Sequence, residues 1–352
     1  MGRTGAVPTI KDVALAAGVS VGTVSRYLNG GNARPQNAER IEDAVASLGY
    51  RPNALGRYLV TGRSRSVGVL VPNAANVFAA TILSGLQLAF EKQGYTALFM
   101  DYRQSSGLLE RKVDVLLSRS VDGLVVLTSE MRTDEYEFLA DVGVPLVVLD
   151  NPLEAAGVES VIVDNRTAAR ELVGSMLDAG HERVGIICMS RSTYVGEQRY
   201  LGWADALEER GLSVHAEDVC EVAASKREGR DAMDVLLARG QVTGVYASNY
   251  YLTLGALRAL AERGLSAGVD VGFASFDDFD FGDVLLPPLS TVAQPTGAMA
   301  RMAADLLVQQ MAGPSASGGT HVLRSEVSVT PSVAGGLGGA VTSFADLASA
   351  YI

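Results

Sequence analysis

The sequence has few of the residues that build covalent frameworks or metal centres. Of its 352 residues, two are cysteine and three are histidine. Cys188 and Cys220 are too few for the disulfide framework of a small secreted protein, and the histidines are too scattered for most metal sites. No apolar run approaches the ~18 residues of a membrane span, and the N-terminus has no apolar signal core. We therefore expect a cytoplasmic protein with no cofactor, no metal ion and no membrane contact.

Positive charge is scarce over the whole chain but concentrated near its N-terminus. The net charge is −11, yet residues 1–66 contain nine Lys and Arg against four Asp and Glu, which leaves −16 on the remaining residues. A small basic head on a larger acidic body is typical of a polyanion-binding module joined to another domain. An uneven surface charge that arose by chance is the alternative.

The sequence beyond residue 66 alternates between short β-rich runs and stretches with helical periodicity. Continuous apolar strands separated by helices predict βαβ units and buried parallel sheets. About 270 residues of this pattern exceed what one compact sheet needs, so we predict an α/β body of two similar, doubly wound lobes. A closed βα barrel is the alternative. The predicted strands are 67–71, 96–100, 123–127, 146–149, 161–163, 184–188, 244–247 and 271–274, and the predicted helices include 79–93, 166–178, 200–210, 230–238 and 252–263.

Three residues in the basic head have the spacing of a DNA-binding helix-turn-helix. Ala14 is small enough for two helices to cross closely, Gly18 suits a left-handed turn, and Val24 fills the crossing. An ordinary helical hairpin, with Arg26 as a solvated surface charge, is the alternative. The predicted head helices are 10–17 after Thr9, 21–28 after Ser20 and 35–48 beginning at Pro35, and Ile10, Val13, Val19 and Leu28 complete the predicted interior.

Several blocks of the sequence resemble the LacI/GalR family of transcriptional repressors, over about residues 8–330. The resemblance implies a homodimer with an all-α helix-turn-helix head, a hinge helix and a two-lobed effector domain similar to periplasmic sugar-binding proteins. It also implies a pseudo-palindromic double-stranded DNA operator and a small-molecule effector, a sugar or sugar derivative. The blocks in the head are 9–14 (TIKDVA), 17–20 (AGVS), 23–26 (TVSR) and 48–55 (LGYRPNAL). Those in the body are 164–165 (DN), 180–183 (GHER), 276–278 (FDD) and 287–292 (PPLSTV).

These patterns also define the expected domains. We expect a helix-turn-helix domain at 1–50, a hinge helix and linker at 51–65, a two-lobed effector-binding and dimerisation domain at 66–334, and a flexible Gly-, Ala- and Ser-rich tail at 335–352. By the resemblance, paired hinge helices enter the minor groove and Leu59 wedges between base pairs, which kinks the duplex. Packing of Leu59 on the body is the alternative. The residues expected to contact DNA are Thr9, Ser20, Val21, Gly22, Thr23, Ser25, Arg26, Asn29, Asn53, Ala54 and Leu59.

Polar and aromatic side chains follow several predicted strands, which is where ligands bind in open α/β sheets. Carboxylates and amides bind hydroxyl groups, arginine binds oxygens bidentately, and aromatic rings cover a sugar face. Asp150 and Asp277 could instead cap helices, Arg199, expected at a helix start, could form a salt bridge between lobes, and Phe78 could belong to the core. By the resemblance, the residues at effector-contacting places are Asn76, Phe78, Asp150, Arg199, Asn249, Asp277 and Gln294. Tyr250, which follows the strand predicted at 244–247, is expected to join them.

Two departures from the family pattern bear on the ligand. Residues 76–79 (NVFA) replace the family's Asn-Pro-Phe-Phe, and Asn249-Tyr250 replaces its usual Asn-Asp. The second change removes a hydroxyl acceptor and a negative charge that would repel an anion. We therefore expect a carbohydrate effector, with a modified or acidic sugar more compatible with this site than with the usual one.

Three classes of function are weighed against these patterns. A sequence-specific DNA-binding repressor, switched by the effector between its lobes, uses both the basic head and the α/β body; inducer and corepressor are both compatible with it. A solute-binding protein without DNA function would need no basic head and would carry a signal peptide. An enzyme is not expected, because the sequence has neither a phosphate-binding loop nor metal-ligand spacing, and Asp277-Asp278 is an adjacent pair instead of a facing catalytic dyad.

Overall fold

The computed structural model of the chain describes residues 8–28, 31–50, 62–278, 282, 285–313 and 318–336. Contacts divide the chain into two units, Met1–Arg65 and Ser66–Ile352. The head unit and the body unit each have their own hydrophobic core. Within the described ranges, no helix is both long and apolar enough to cross a membrane.

The head unit is built from short helices joined by a tight turn. Gly18 adopts a φ of +65° after the first helix, and the amide of Val19 donates to the carbonyl of Ala14 at 3.1 Å, so the chain reverses sharply. The helices are α1 (Ile10–Ala17), α2 (Val21–Leu28) and α3 (Pro35–Leu48). The predicted helix boundaries and the left-handed turn at Gly18 are confirmed.

A small apolar core lies where the three helices of the head meet. Val13 and Ala14 of α1 pack with Val24 of α2 and with Ile41 and Ala44 of α3, and all five side chains are buried. The other predicted interior residues lie half-buried around this core: Ile10, Val19 and Leu28. Burial of Val24 between the helices holds α2 across α1, as the helix-turn-helix spacing predicts.

The first lobe of the body is a six-stranded parallel sheet with helices on both faces. Its strands are β1 (Ser66–Val71), β2 (Thr96–Asp101), β3 (Gly123–Leu127), β4 (Leu146–Leu149), β5 (Val158–Val163) and β11 (Gly319–Leu323). They pair in the order β11-β5-β4-β3-β1-β2, with Val69 of β1 opposite Phe99 and Val125. Helices α4 (Val77–Lys92) and α10 (Thr296–Ala312) cover one face, and α5 (Ser106–Ser118) covers the other.

The second lobe repeats this arrangement with one antiparallel edge strand. Its strands are β6 (Val184–Cys188), β7 (Val219–Glu221), β8 (Gly244–Ala247), β9 (Gly272–Phe276), β10 (Ser290–Ala293) and β12 (Glu326–Ser328). They pair in the order β12-β10-β9-β8-β6-β7, and β12 is the antiparallel member. Helices α6 (Asn165–Asp178) and α7 (Tyr194–Glu208) cover one face, and α8 (Lys226–Arg239) and α9 (Tyr250–Glu262) cover the other.

The chain passes between the two lobes at 163–165, 293–296 and 323–326. Asp164 ties two of these crossovers together, because its amide donates to the carbonyl of Leu323 at 3.1 Å and its carboxylate accepts from the amide of Ser325 at 2.8 Å. The two separate sheets confirm the predicted pair of doubly wound lobes and exclude the barrel.

Helix α7 corrects one prediction. It begins at Tyr194 instead of 200, because Thr193 caps it by accepting a hydrogen bond from the amide of Gly196 at 3.2 Å. Arg199 was expected at a helix start, and it lies instead inside α7 with 2% of its surface exposed. Its side chain is therefore held by packing between α7 and the sheet.

Candidate functional site

The exposed start of α2 is the candidate DNA-reading surface of the head. Ser20 Oγ accepts a hydrogen bond from the amide of Thr23 at 3.2 Å and lies 2.9 Å from Thr23 Oγ1, so it caps the helix. Val21 and Gly22 are exposed in the first turn, and Arg26 is exposed in the last. An exposed N-terminal turn is the part of a recognition helix that meets base edges.

The other predicted DNA contacts divide between described and undescribed parts of the chain. Thr9 precedes α1, where its amide and hydroxyl both donate to Asp12 Oδ2 at 2.8 Å and hold the pKa of that carboxyl below its usual value. Ser25 is half-buried on α2. Outside the described residues lie Asn29, Asn53, Ala54 and Leu59, together with most of the hinge at 51–65 and most of the tail at 335–352.

A cleft between the two lobes of the body brings together most of the predicted effector residues. It lies at the carboxyl ends of the strands, the position where ligands bind in open α/β sheets. Seven of the eight predicted residues line it: Asn76, Phe78, Asp150, Arg199, Asn249, Asp277 and Gln294. The lining also includes Pro72, Asn73, Ala79, Gln104, Leu127, Ser129, Glu130, Met189 and Val195.

The second-lobe wall of the cleft is built around Arg199. Its Nε donates to Asn165 Oδ1 at 2.8 Å, and its Nη1 donates to the carbonyl of Ser248 at 2.7 Å. Nη1 also lies 4.0 Å from Asp277 Oδ2, and the guanidinium stacks 3.6 Å from the centre of the Phe276 ring. Both charged groups belong to the second lobe, so the alternative of a salt bridge between lobes is wrong.

Asp277 completes this wall, and both of its carboxylate oxygens accept hydrogen bonds. Gln294 Nε2 donates to Oδ1 at 2.6 Å, and the amide of Tyr250 donates to Oδ2 at 3.0 Å. Because Tyr250 is the first residue of α9, Asp277 caps that helix from a neighbouring strand. The capping alternative for Asp277 is therefore correct, and it coexists with a position in the cleft.

Residues flanking the starts of α9 and α4 form further parts of the lining. Asn249 caps α9, accepting from the amide of Tyr251 at 2.9 Å, and Asn76 caps α4, accepting from the amide of Ala79 at 3.3 Å. Phe78 packs half-buried against the first-lobe core and also lines the cleft. The remaining predicted contact, Tyr250, is not brought into the cleft: it lines an adjacent pocket together with Phe78, Asp277 and Gln294.

The first-lobe wall carries two acidic side chains, Asp150 and Glu130. Asp150 is 3% exposed and accepts from Ser129 Oγ at 2.5 Å, while its Oδ1 is buried without a hydrogen-bond partner among the described residues. Glu130 Oε2 accepts from Gln104 Nε2 at 2.6 Å. Burial raises the pKa of Asp150, and burial together with the charge of Asp150 raises the pKa of Glu130 to about 7. No helix begins after Asp150, so the capping alternative for it is wrong.

Glu130 is a cleft residue that the sequence pattern did not single out. It lies three residues beyond the last residue of β3, the same kind of strand end that points to Asp150. Its backbone adopts a φ of +64°, an uncommon conformation that gathers at functional sites. The position of Glu130 after a buried strand is the signal that could have found it.

The charged groups of the lining determine which ligand charge the cleft accepts. Arg199 lies 4.0 Å from Asp277, and its charge also acts on Asp150 and Glu130, where it opposes the rise of both pKa values without forming a close ion pair. The described lining thus carries three carboxyl groups and one arginine, which favours a neutral or positively charged ligand, and the expectation of a modified or acidic sugar stays a prediction.

Both units match models of known families. Residues 9–53 match the bacterial regulatory proteins of the lacI family, and residues 64–330 match the periplasmic binding proteins and sugar binding domain of the LacI family. The chain therefore belongs to the LacI family: it is a DNA-binding transcriptional regulator with a ligand-binding body. A solute-binding protein without DNA function is not favoured, because the regulatory head is matched as well.

The similarity to individual transcriptional regulators extends over nearly the whole length of both chains. The HTH-type transcriptional repressor CytR of Escherichia coli (strain K12) is 30% identical over 325 residues, which are 91% of this chain and 94% of CytR. The transcriptional regulator CelR, solved as a complex with cellobiose, superposes with a TM-score of 0.70 at 30% identity, covering 92% of this chain and 99% of CelR. The Lac repressor dimer bound to operator and the anti-inducer ONPF has the same fold, with a TM-score of 0.83 at 24% identity, covering 93% and 99% of the two chains.

Proposed function

We propose that this chain is a repressor whose affinity for operator DNA is switched by a carbohydrate bound between the two lobes. The observation that carries the proposal is the cleft, in which both lobes present hydroxyl-binding groups around one space. Its carboxylates, amides and guanidinium suit sugar hydroxyls, and the half-buried Phe78 offers an apolar ring face. The complex of the similar regulator CelR with cellobiose supports a sugar as the class of ligand.

The switch acts through the three crossovers between the lobes. Gln294 lies in the crossover at 293–296 and bonds Asp277 in the cleft wall, so a ligand in the cleft acts on the connection that sets lobe closure. A change in closure moves the first lobe of one protomer relative to that of its partner in the proposed homodimer, and so alters the docking of the hinge segments at 51–65. Coupling between two such sites is typically ~1–3 kcal/mol.

The decisive experiment measures the operator affinity and the thermal stability of the full chain, with and without each sugar of a carbohydrate panel. A sugar at ~100 times its dissociation constant adds ~2.7 kcal/mol of stability, and the same sugar changes operator affinity about 5- to 150-fold. The direction of that change identifies the sugar as inducer or corepressor. A sugar that stabilises the protein without changing operator affinity would contradict the switch.

DNA recognition is assigned to residues 1–50 and the hinge, in a homodimer on a pseudo-palindromic operator. Binding is expected to weaken strongly with salt, because Lys and Arg contacts release counterions from DNA. Leu59→Ala is expected to reduce both operator affinity and DNA bending, since an apolar wedge kinks the duplex. Leu15→Ala is the matched control, because Leu15 is a leucine of the head that is 84% exposed and not a proposed DNA contact. Operator DNA bent equally by both variants would contradict the wedge.

We infer that the chain is not an enzyme and that it acts in the cytoplasm, where operator DNA lies. Burial raises the pKa of the Cys188 thiol to about 12, so this cysteine supplies no thiolate at neutral pH. His181 is engaged in structural bonds, with Nδ1 2.7 Å from Thr243 Oγ1 and Nε2 2.6 Å from the carbonyl of Val333. Residues 18–22 (GVSVG) have the spacing of a hydrolase nucleophile turn, yet their serine caps α2 in the head.

A further inference from the structure

The two walls of the cleft differ in charge, and that difference narrows the class of effector. We propose that the effector is an amino sugar whose ammonium group lies between Glu130 and Asp150. The inference rests on the proposed carbohydrate response of the cleft and assigns Glu130 as the residue that selects the amine.

The charge balance of the walls is the first argument. On the second lobe, Arg199 lies 4.0 Å from Asp277, so that wall carries one charge of each sign. On the first lobe, Glu130 and Asp150 receive hydrogen bonds from the neutral groups of Gln104 and Ser129, and the single arginine of the described lining, Arg199, is shared among these two acids and Asp277. Three acids against one arginine leave an excess of negative charge, which a positively charged ligand offsets, a neutral sugar leaves as it is and an acidic sugar increases.

Unpartnered acceptor atoms are the second and independent argument. Asp150 Oδ1 and Gln294 Oε1 are both buried, and neither has a hydrogen-bond partner within the described part of the chain. Buried polar atoms are nearly always hydrogen-bonded, so both oxygens favour a ligand that brings donors. An ammonium group supplies three donors and a positive charge, a hydroxyl supplies one donor, and an ionised carboxylate supplies none.

The ionisation of Glu130 supports the same reading. Burial and the charge of Asp150 raise the pKa of Glu130 to about 7, while Arg199 opposes the shift and Asp277 adds to it. Two neighbouring tyrosines, Tyr102 and Tyr251, also interact electrostatically with Glu130, and burial raises the pKa of both phenols, so they stay neutral. A bound ammonium favours the ionised form of Glu130, and the amine therefore binds best where Glu130 has lost its proton.

Titration calorimetry of the full chain tests the amine directly. The ligands form two matched sets, and within each set an amine, a neutral sugar and an acid share one ring skeleton. The sets are glucosamine, glucose and glucuronate, and galactosamine, galactose and galacturonate. At pH 7 we expect the amine of at least one set to bind about tenfold more tightly than its neutral counterpart, with the acid weakest. A neutral or acidic sugar that binds as tightly as its amine overturns the inference and leaves the carbohydrate switch intact. No binding by any of the six overturns the inference, and the carbohydrate response is then decided by the wider panel and the operator-binding measurement.

Two variants and the pH dependence of binding show whether Glu130 selects the amine or only supports the structure of the cleft. Glu130→Gln is expected to lower the affinity for the amine at least fivefold more (about 1 kcal/mol) than it lowers the affinity for the matched neutral sugar. Glu110→Gln, the same change at an exposed position of α5, is expected to leave selectivity unchanged. For the unmodified chain, amine affinity is expected to rise about tenfold from pH 5.5 to pH 7 as Glu130 ionises, and this rise is largely lost in Glu130→Gln. Equal pH profiles for the two proteins overturn the role of Glu130.

Discussion

The two lobes of the body have the same strand order, yet they complete equivalent strand ends in different ways. Asp150 follows β4 and Asp277 follows β9, the corresponding strands of the two sheets, and both adopt a positive φ, 77° and 78°. Asp277 accepts hydrogen bonds at both carboxylate oxygens, whereas Asp150 leaves Oδ1 buried and without a described partner. The protein itself thus supplies hydrogen-bond donors for both oxygens of Asp277, whereas a bound ligand can supply the donor for Oδ1 of Asp150.

Positive φ is uncommon for residues other than glycine and costs of order 1 kcal/mol or more. Its occurrence at both strand ends indicates that the fold holds these two carboxyl groups in place against a local backbone preference. The two aspartates therefore share a backbone geometry and differ in their hydrogen bonds. Substituting each one in turn tests whether its hydrogen bonds contribute to the stability of the fold or to ligand binding.

The largest expected difference between the lobes is in the free energy of unfolding after alanine substitution. Asp277→Ala removes the acceptor for Gln294 and for the first amide of α9, and it removes the counter-charge beside Arg199, so we expect a loss of about 2–4 kcal/mol. Asp150→Ala removes one hydrogen bond and also a buried oxygen without a partner, so we expect a change within about 1 kcal/mol. Urea unfolding at pH 7 measures both. Equal losses would show that the two walls do not differ as described.

A smaller difference is expected from the acid–base behaviour of Glu130. The pKa of about 7 in the folded protein lies above the ordinary glutamate value of 4.5, so ionisation opposes folding, and stability falls as pH rises from 4.5 through 7. Glu130→Gln removes this cost, and we expect the variant to gain about 2–3 kcal/mol at pH 8 and less than about 1 kcal/mol at pH 5.

Urea unfolding of the unmodified chain and the Glu130→Gln variant at both pH values measures this effect. Glu110→Gln serves as the control, since Glu110 is exposed and its substitution leaves the cleft unchanged. A gain of the same size at pH 5 and pH 8 would mean that improved packing, and not ionisation, is responsible.

The fold could be predicted largely because buried parallel strands are continuous apolar runs. Four strands were predicted with their observed bounds: β3, β4, β6 and β8. β5 was predicted three residues too short, because Glu159 and Ser160 interrupt its apolar run. The fold buries Glu159 beside His321 of β11, whose Nε2 lies 2.9 Å from the Glu159 carboxylate. That partner is 162 residues away, so no local pattern reveals it.

The sequence could predict which strand ends line the candidate site. It could not predict how the side chains at those ends are buried and paired. Asp150 and Asp277 follow apolar strands, which makes them candidates, and the resemblance to the family places both at effector-contacting positions. The burial of Arg199 depends on where α7 begins, and that start is set by the Thr193 cap instead of by the apolar periodicity of the helix. The pairing of Glu130 with Asp150 depends on two neighbouring strand ends meeting in space, which is a property of the sheet order.

The smallest expected difference concerns the glycines of two equivalent strands, each next to an edge strand of its sheet. Gly68 of β1 and Gly185 of β6 both face a helix, but a Cβ at Gly68 lies 2.6 Å from methyl groups of Leu116 and Leu124, whereas at Gly185 the nearest side-chain atoms are 3.2 Å away. Alanine stiffens the unfolded chain at either position and adds about 0.4–1 kcal/mol of stability. At Gly68 the overlap forces both leucines to move, and overpacking costs about 1–2 kcal/mol, which exceeds that gain.

Thermal unfolding measures the difference. The melting temperature of Gly68→Ala is expected to fall by about 2–4 °C for each kcal/mol lost, and that of Gly185→Ala is expected to stay nearly unchanged, with sugar binding intact in both variants. Equal melting temperatures for the two variants would mean that the first lobe relaxes around the added methyl group as readily as the second, which would remove the difference in packing between the lobes and leave only the difference at their strand ends.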